Sequence, residues 1–208
     1  NLEVTPGKPL VLQGNQGLSQ KGKEPGNASY YYSFTRMIAS GEVITPDGIF
    51  DVTGSSWLDR EWSTSVLESN QVGWDWFALQ LNDGTDLMYY QLRDKAGKLD
   101  EQSSGKLVNP NGESRNLKFE EVALKVVEFW QSPNSGASYP AGWTLKLASE
   151  NLDLEISPRM SDQELRTTVS YWEGSVRVQG TQNGQPIQGV GYVEMTGYDQ
   201  FMNSVDES

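Results

Sequence analysis

Turn signals that recur at short intervals constrain this chain more than any other feature of its sequence. They include Pro46-Asp47-Gly48, Asn82-Asp83-Gly84, Asn109-Pro110-Asn111-Gly112 and Asn183-Gly184-Gln185-Pro186. Asn-Gly and Asp-Gly tolerate the positive φ of tight hairpins, and the runs between them are rich in Tyr, Trp, Phe, Val and Thr. This spacing predicts an all-β antiparallel meander of roughly ten strands with little helix. We expect strands at 29–39, 49–53, 55–65, 72–81, 86–93, 122–131, 143–148, 152–156, 166–179 and 189–198.

Two segments are less regular. Phe119, Val122, Val126 and Trp130 have helical spacing, but the β-branched and aromatic content of 122–131 favours a strand, with a helix as the alternative. The first 28 residues are rich in Gly, Pro, Gln and Lys, and we expect them to run as a loop. No linker divides the chain, so residues 1–208 are predicted to form a single domain.

A β meander of this length forms either a sandwich or a closed barrel. Closure removes exposed strand edges, and a barrel of about eight strands holds one small ligand in its lumen. The 7 Trp, 9 Tyr and 6 Phe exceed what core packing requires. The composition therefore favours a closed antiparallel barrel with a ligand cavity.

The absence of two residue types excludes whole classes of chemistry. The chain has no Cys and no His, so it offers no thiol nucleophile, no Ser-His-Asp triad and no Cys- or His-ligated zinc. A net charge of −12 repels phosphate backbones and anionic membrane surfaces, so nucleic acid is not an expected partner. No apolar run approaches the roughly 18 residues of a transmembrane segment. The start at Asn1, without an initiator Met, suggests a processed protein or an excised domain.

The segment 54–63 has the densest set of aromatic and charged side chains. In a strand, one face carries Trp57, Asp59 and Glu61, and the other carries Leu58, Arg60 and Trp62. Carboxylates two residues apart on one face lie about 7 Å apart and perturb each other's pKa when they are buried. The pattern is compatible with an acid/base pair beside an aromatic wall. It is also compatible with a solvated acidic face opposite a Trp-lined core, with Arg60 paired locally.

Strand 72–81 adds another candidate acid. Alternation places Trp74 and Trp76 on one face and Asp75 on the opposite, apolar face with Phe77. A carboxyl group on an apolar face must be paired, hydrogen-bonded or protonated. Asp75 is therefore either an acid with a raised pKa or a structural residue that binds backbone amides or Arg60.

A third polar set lies on strand 166–179. Tyr171, Glu173 and Arg177 share one face of this strand. An aromatic ring, an acid and a base together can line a polar pocket or decorate the outside of the fold. Their spacing alone favours the structural interpretation.

Seven ordered motifs resemble the AttH-type lipocalin-like proteins, which are related to carotenoid 1,2-hydratases (hydroxyneurosporene synthases). The motifs are Trp57-Leu58-Asp59-Arg60-Glu61-Trp62-Ser63, Gly73-Trp74-Asp75-Trp76-Phe77, Leu87-Met88-Tyr89-Tyr90-Gln91-Leu92-Arg93, Tyr139-Pro140-Ala141-Gly142-Trp143, Asp162-Gln163-Glu164-Leu165, Tyr171-Trp172-Glu173-Gly174 and Gly191-Tyr192-Val193-Glu194-Met195-Thr196-Gly197-Tyr198. The resemblance implies a closed lipocalin-like (calycin) barrel similar to allene oxide cyclase. Members of the family usually contain two such barrels, and this chain resembles the C-terminal one. The missing N-terminal half, or a second copy of the chain, is therefore an expected partner.

The resemblance also implies a chemistry. Hydratases of the family protonate an isolated alkene and let water capture the cation, which requires a dry acid and aromatic faces. Their Asp-His-x-Trp pattern falls here on Asp59, Arg60, Glu61 and Trp62. Arg60 replaces the His, and a permanently charged guanidinium does not transfer a proton. This departure puts hydratase activity in doubt.

Two functions follow from these interpretations. The first is binding of a hydrophobic or amphipathic small molecule, such as a lipid, polyene or isoprenoid, with Arg60 holding its head group. The family's association with ABC transporters suggests an accessory role for such a protein in the periplasm or outside the cell. The alternative is a hydratase or cyclase that needs no metal or organic cofactor. The predicted catalytic residues are Asp59, Glu61 and Asp75, and the predicted ligand-binding residues are Trp57, Arg60, Trp62, Trp74, Trp76, Tyr90, Tyr171 and Glu173.

Overall fold

The computed structural model describes residues 1–23, 26–63, 67–167 and 170–198. In these ranges the chain forms fifteen strands and two 3-10 turns, Phe119–Glu121 and Ala148–Glu150. The strands form two antiparallel sheets, which confirms the prediction of an all-β fold. Parts of two predicted strands, residues 64–65 and 168–169, lie outside the described residues. No described helix is long and apolar enough to cross a membrane.

The smaller sheet is built around one long strand. Its members are β1 (Leu2–Pro6), β2 (Val11–Leu12), β3 (Leu18–Gln20), β4 (Ala28–Thr45) and β5 (Gly48–Ser63). Strand β4 pairs with each of the other four. The prediction that the first 28 residues run as a loop is wrong, because β1, β2 and β3 pair in turn with one edge of β4 and satisfy its backbone groups. The two strands predicted at 49–53 and 55–65 are one strand, since Gly54 stays in the ladder opposite Ala39.

The larger sheet contains ten strands. They are β6 (Gln71–Leu81), β7 (Asp86–Asp94), β8 (Ser104–Val108), β9 (Ser114–Lys118), β10 (Val122–Gln131), β11 (Ser138–Leu147), β12 (Leu152–Pro158), β13 (Glu164–Arg166), β14 (Ser170–Gln182) and β15 (Gln185–Thr196). Their order is β10-β11-β12-β14-β15-β6-β7-β8-β9, with β13 paired to β14. The hairpin between β14 and β15 turns on Asn183 and Gly184, whose φ angles are 51° and 75°, as the Asn-Gly signal predicts. The helical alternative for 122–131 is wrong.

The larger sheet curls into a half-barrel, so the predicted closed barrel is not what the described strands form. Strands β9 and β10 are its two edges, and no described ladder joins them. Only the turn Phe119–Glu121 connects them. Arg115 of β9 forms ion pairs of 2.8 Å with Glu121 and with Glu150. Side-chain ion pairs thus surround the opening where backbone pairing would have closed the barrel.

The inner face of the half-barrel is filled by its own side chains. Phe77, Tyr89, Trp143 and Trp172 are each at most 1 % exposed and belong to one apolar cluster. The rings of Phe77 and Trp143 lie 5.5 Å apart, edge to face. Large aromatic side chains therefore occupy the place where a lipocalin would hold its ligand.

The smaller sheet packs on the outer face of β6 and β7. Tyr31 of β4 joins Met88, Tyr90 and Leu92 in a second buried cluster. Leu87 and Tyr89 alternate with these residues and pack in the first cluster instead. Strand β7 is therefore buried on both faces.

A buried carboxylate ties the two sheets together. Asp86 of β7 is fully buried and accepts hydrogen bonds from Thr35 at 2.9 Å and from Arg36 at 2.6 Å, while the Lys8 ammonium lies 2.8 Å away. A β-bulge places Thr35 and Arg36 opposite the single residue Trp57, and it turns both side chains toward Asp86. This arrangement, here named the Asp86 clamp, fixes β4 over the larger sheet.

The Asp86 clamp provides a stability prediction. Asp86→Ala removes the carboxylate partner of the buried Lys8 and of the partly buried Arg36, and is expected to lower the free energy of unfolding by about 3–5 kcal/mol. Asp51→Ala, at an exposed position of β5, is the control and should change it by no more than about 0.5 kcal/mol. Urea denaturation of the two variants measures both values. Equal losses would contradict the role of the clamp.

Candidate active site

A groove runs between β5 of the smaller sheet and the outer face of β6 and β15. It contains two cavities of about 320 Å³ and about 730 Å³, and both are lined by Asp59, Trp76 and Glu194. The smaller cavity is also lined by Lys21, Tyr31, Glu61, Trp62, Trp74 and Tyr90. The larger is also lined by Trp57, Ala78, Gln80, Arg159, Val190 and Tyr192. The candidate site therefore lies outside the half-barrel and not within it.

Strand alternation brings the predicted residues of β5 and β6 together. Trp57, Asp59 and Glu61 of β5 face the groove, as do Trp74 and Trp76 of β6. The rings of Trp57 and Trp76 lie 6.2 Å apart at 84° to each other. These two indoles form perpendicular aromatic walls beside the carboxylates.

Asp59 is the acid of the groove that accepts the most hydrogen bonds in the described structure. Its Oδ1 accepts hydrogen bonds from Trp57 Nε1 at 2.7 Å and from Ser33 Oγ at 2.5 Å. Its Oδ2 accepts one from Tyr31 Oη at 2.7 Å, and Tyr31 in turn accepts one from Trp76 Nε1 at 3.2 Å. Desolvation by the surrounding groove raises the pKa of Asp59, although the hydrogen bonds from Ser33, Tyr31 and Trp57 partly oppose that rise. The three donors fix the direction in which the carboxylate points.

Glu61 and Lys21 form a charged pair at the end of the smaller cavity. The Lys21 ammonium lies 3.1 Å from Glu61, 4.0 Å from the centre of the Tyr90 ring and 5.3 Å from that of Tyr31. Glu61 also accepts a hydrogen bond from Ser29 Oγ. The structure thus brings Tyr90 to the groove as predicted, and adds Lys21, which the sequence did not single out.

Glu194 is the acid that sequence reasoning missed. It lies on β15 opposite Trp76 in the ladder, and its Oε1 accepts one hydrogen bond of 2.7 Å from Trp74 Nε1. Burial raises the pKa of Glu194, and the nearby charges of Glu173, Asp59 and Glu61 add to the rise. The only signal in the sequence is alternation with Val193 and Met195, which places Glu194 on the face away from the apolar core.

Two other predicted residues lie beside the groove. Tyr171 packs against Trp74 with ring centres 6.3 Å apart, and burial raises its pKa. Glu173 pairs with Glu194 in the β14–β15 ladder and accepts a hydrogen bond of 3.0 Å from Tyr192 Oη. Burial and this hydrogen bond raise the pKa of Tyr192 to about 12. Tyr171 and Glu173 support the acidic wall, but neither lines either of the two cavities.

The structure separates Asp75 from the other predicted acids. Asp75 is 2 % exposed on the inner face of β6, where Arg93 lies 3.3 Å away and Tyr198 Oη donates a hydrogen bond of 2.9 Å. Burial raises the pKa of Asp75, and the charge of Arg93 opposes that rise. The sheet itself stands between this carboxyl group and the groove. Asp75 thus contacts Arg93 and Tyr198 instead of the backbone amides or Arg60 that the sequence suggested, and it lines neither cavity.

Arg60 also lies away from the acids. It stands between Asp59 and Glu61 on β5, so alternation directs it to the outer face of the smaller sheet, and it lines neither cavity. Trp62 is 52 % exposed and packs with Tyr30 and Tyr32 on that face, at 5.9 and 6.2 Å, while it reaches the rim of the smaller cavity. Arg60 is thus not placed to hold a head group within the groove.

Comparison with known proteins agrees with the motifs. The AttH-like family model matches residues 1–198. The chain belongs to the AttH-like family. The crystal structure of an AttH protein from Nitrosomonas europaea superposes with a TM-score of 0.86 at 37 % identity, over 95 % of this chain and 60 % of that one.

Two kievitone hydratases are also similar. The enzyme of Fusarium solani subsp. phaseoli is 25 % identical over 158 residues, which cover 74 % of this chain and 43 % of that protein. The crystal structure of the enzyme from Nectria haematococca has the same fold, with a TM-score of 0.77 at 19 % identity over 94 % of this chain and 60 % of that one. The AttH-like chain therefore spans about half the length of these relatives.

The groove offers acids and aromatic rings rather than metal ligands. In the described ranges, no group of three or more His, Cys, Asp or Glu side chains is arranged to hold a metal ion. Asp59 and Glu194 are carboxyl groups with raised pKa values, and both line the two cavities beside Trp76. Such groups keep a proton to higher pH than ordinary carboxyl groups do, which suits them to proton transfer.

The raised pKa of Glu194 predicts that removing this acid will stabilise the protein. Because the pKa of Glu194 is raised by folding, its charged form destabilises the folded state above that pKa. Glu194→Gln should therefore raise Tm near pH 7 by a few degrees, on the order of 2–4 °C. The gain should vanish as the pH falls below the ordinary glutamate pKa of about 4.3. Thermal melts between pH 4 and pH 8 measure it.

Glu121→Gln is the matched control with the opposite sign. Hydrogen bonds from Lys118 N and Arg115 lower the pKa of Glu121, so its charge stabilises the fold above the unfolded pKa. This stabilisation is lost as the pH falls through the folded value. The control should melt below the parent protein at pH 7 and match it in acid. A lower Tm for Glu194→Gln at pH 7 would contradict the assignment.

Proposed function

We propose that the AttH-like chain binds an apolar or amphipathic small molecule in the groove and adds water to an isolated carbon–carbon double bond of that molecule. The observation that carries the proposal is that Asp59, Glu194 and Trp76 line both cavities, with Trp57 beside them in the larger one. The wall that the two cavities share is here named the junction. The similarity to proteins named hydratases supports the same reaction class.

Glu194 is suited to be the acid. Only one of its oxygens receives the hydrogen bond from Trp74, so the other can carry the proton. In the proposed step this proton forms the new C–H bond with one alkene carbon, and the π electrons leave the other carbon positively charged. A raised pKa keeps more of the acid protonated near neutral pH.

Asp59 is suited to be the base. Donors on both of its oxygens limit the rise of its pKa and orient the carboxylate, and a base with a raised pKa binds a proton more strongly than an ordinary carboxylate does. Water forms the C–O bond with the cation and loses a proton to Asp59. That proton returns through solvent to Glu194, so no cofactor is consumed. The indoles of Trp57 and Trp76 stabilise the cation between the two steps.

Binding without turnover is the second candidate, as the sequence first suggested. The groove is lined by both apolar and polar side chains, which suits a carrier for a lipid, polyene or isoprenoid. An accessory role beside an ABC transporter, a periplasmic or secreted location, and pairing with a second barrel or a second copy stay predictions. The lipocalin-like character of the fold and the single-domain organisation also stay predictions.

Turnover separates the two candidates. We expect a hydrated product when the protein is incubated with neurosporene- or lycopene-type polyenes or with kievitone, analysed by mass spectrometry in water enriched in oxygen-18. Asp59→Asn and Glu194→Gln should each lower the rate by about 10²–10⁴-fold. Quenching of Trp fluorescence by these compounds reports binding independently.

Two further variants complete the test. Arg60→Ala should leave the rate unchanged, because Arg60 lines neither cavity, and Glu120→Gln controls for loss of an exposed charge. Quenching without product, insensitive to Asp59→Asn, would rule out the enzyme and leave the carrier. A loss of binding in Arg60→Ala would restore the head-group role first predicted for Arg60.

A further inference from the structure

The groove already stabilises one positive charge of the protein itself. The Lys21 ammonium lies over the Tyr90 ring at 4.0 Å and near the Tyr31 ring at 5.3 Å, with the Glu61 carboxylate 3.1 Å away. Aromatic faces and a carboxylate around an ammonium group are the elements of cation recognition in proteins. The end of the smaller cavity is thus a cation site filled from within the chain.

The same elements recur at the junction of the two cavities, where no lysine or arginine of the described ranges forms an ion pair with Asp59 or Glu194. The indole rings of Trp57 and Trp76 are perpendicular, and their centres lie 6.2 Å apart. Asp59 and Glu194 line the same space. Trp57 Nε1 donates to Asp59 and Trp74 Nε1 donates to Glu194, so each carboxylate is held in place. Two aromatic walls and two oriented carboxylates form a cage for a cationic group.

The surrounding charges favour a cation over an anion. Asp59, Glu61 and Glu173 each act on Glu194 as like charges, so the junction has an excess of negative charge. Two cations line the cavities against these acids: Lys21 is paired with Glu61, and the exposed Arg159 lines the larger cavity together with the cage residues. A carboxylate or phosphate at the junction would face several like charges.

The larger cavity can hold an apolar chain attached to the cation. Its volume of about 730 Å³ lies within the range typical of small-molecule sites. Ala78, Val190 and Gly191 contribute apolar surface to its wall. The ligand that fits is therefore an amphiphile whose charged end lies at the junction and whose chain lies along β6 and β15.

We infer that the cage formed by Trp57, Trp76, Asp59 and Glu194 binds an alkylammonium group, tertiary or quaternary, that carries an apolar chain. The inference rests on the proposed function only in placing the ligand in this groove. It requires no turnover. An alkylammonium compound would also mimic the carbocation of the proposed reaction and would compete with its substrate.

A matched series of ligands tests the charge preference. We would measure Kd by Trp fluorescence and calorimetry for (6-hydroxyhexyl)trimethylammonium and for two analogues. In these analogues a tert-butyl group or a carboxylate replaces the trimethylammonium group. The ammonium and tert-butyl compounds have nearly the same shape and differ in charge. The ammonium compound should bind about tenfold or more tightly than the tert-butyl compound, and the carboxylate should bind most weakly.

Variants locate the preference at the cage. Glu194→Gln should weaken ammonium binding by about fivefold to tenfold and leave tert-butyl binding unchanged, because it removes a charge while keeping the shape. Trp57→Leu should weaken the ammonium compound more than the tert-butyl compound. Glu120→Gln, which removes an exposed negative charge in the β9–β10 turn, should change neither.

The outcomes separate this inference from the proposed function. Equal binding of the ammonium and tert-butyl compounds, or no binding of either, would overturn the inference whatever the hydration assay gives. An equal loss for both compounds in Glu194→Gln would overturn it as well. Charge-selective binding in a protein that hydrates no alkene would uphold the cage and reject the enzyme.

Discussion

The groove depends on the polar contacts that hold one sheet over the other. The Asp86 clamp joins β7 to the bulge of β4, and the amide of Gln80 on β6 donates to the carbonyl oxygens of Thr35 at 2.7 Å and Ser56 at 3.1 Å. These groups are buried, so each must find its partner in the folded state. Because Thr35 and Ser56 flank Trp57, the clamp also sets the distance between the walls of the groove.

The position of the site follows from the filling of the half-barrel. Trp143 and Trp172 occupy the inner face of the larger sheet and are each 1 % exposed. The chain's own side chains therefore already bury the apolar surface there. The outer face of β6 instead carries Trp74 and Trp76, which the smaller sheet only partly covers. A fold resembling a barrel thus has its candidate site between two sheets, where polar groups line the cavities.

The site combines features that oppose stability. Burial and mutual repulsion raise the pKa values of Asp59 and Glu194, which costs folding free energy at neutral pH. The indole N–H groups of Trp57 and Trp74 offset part of that cost. Carboxyl groups in such surroundings are typical of sites that transfer protons or hold cations.

Much of the fold and half of the site could be read from the sequence, because alternation in a strand is local. Turn signals and aromatic runs predicted an all-β chain, and a period of two correctly grouped Trp57 with Asp59 and set Asp75 on the face opposite Trp76. Only the tertiary structure decided that the half-barrel stays open, that Arg60 faces away from the groove and that Glu194 meets Trp74 across 120 positions. The physical reason is that alternation assigns side chains to faces, whereas long-range packing decides what each face meets.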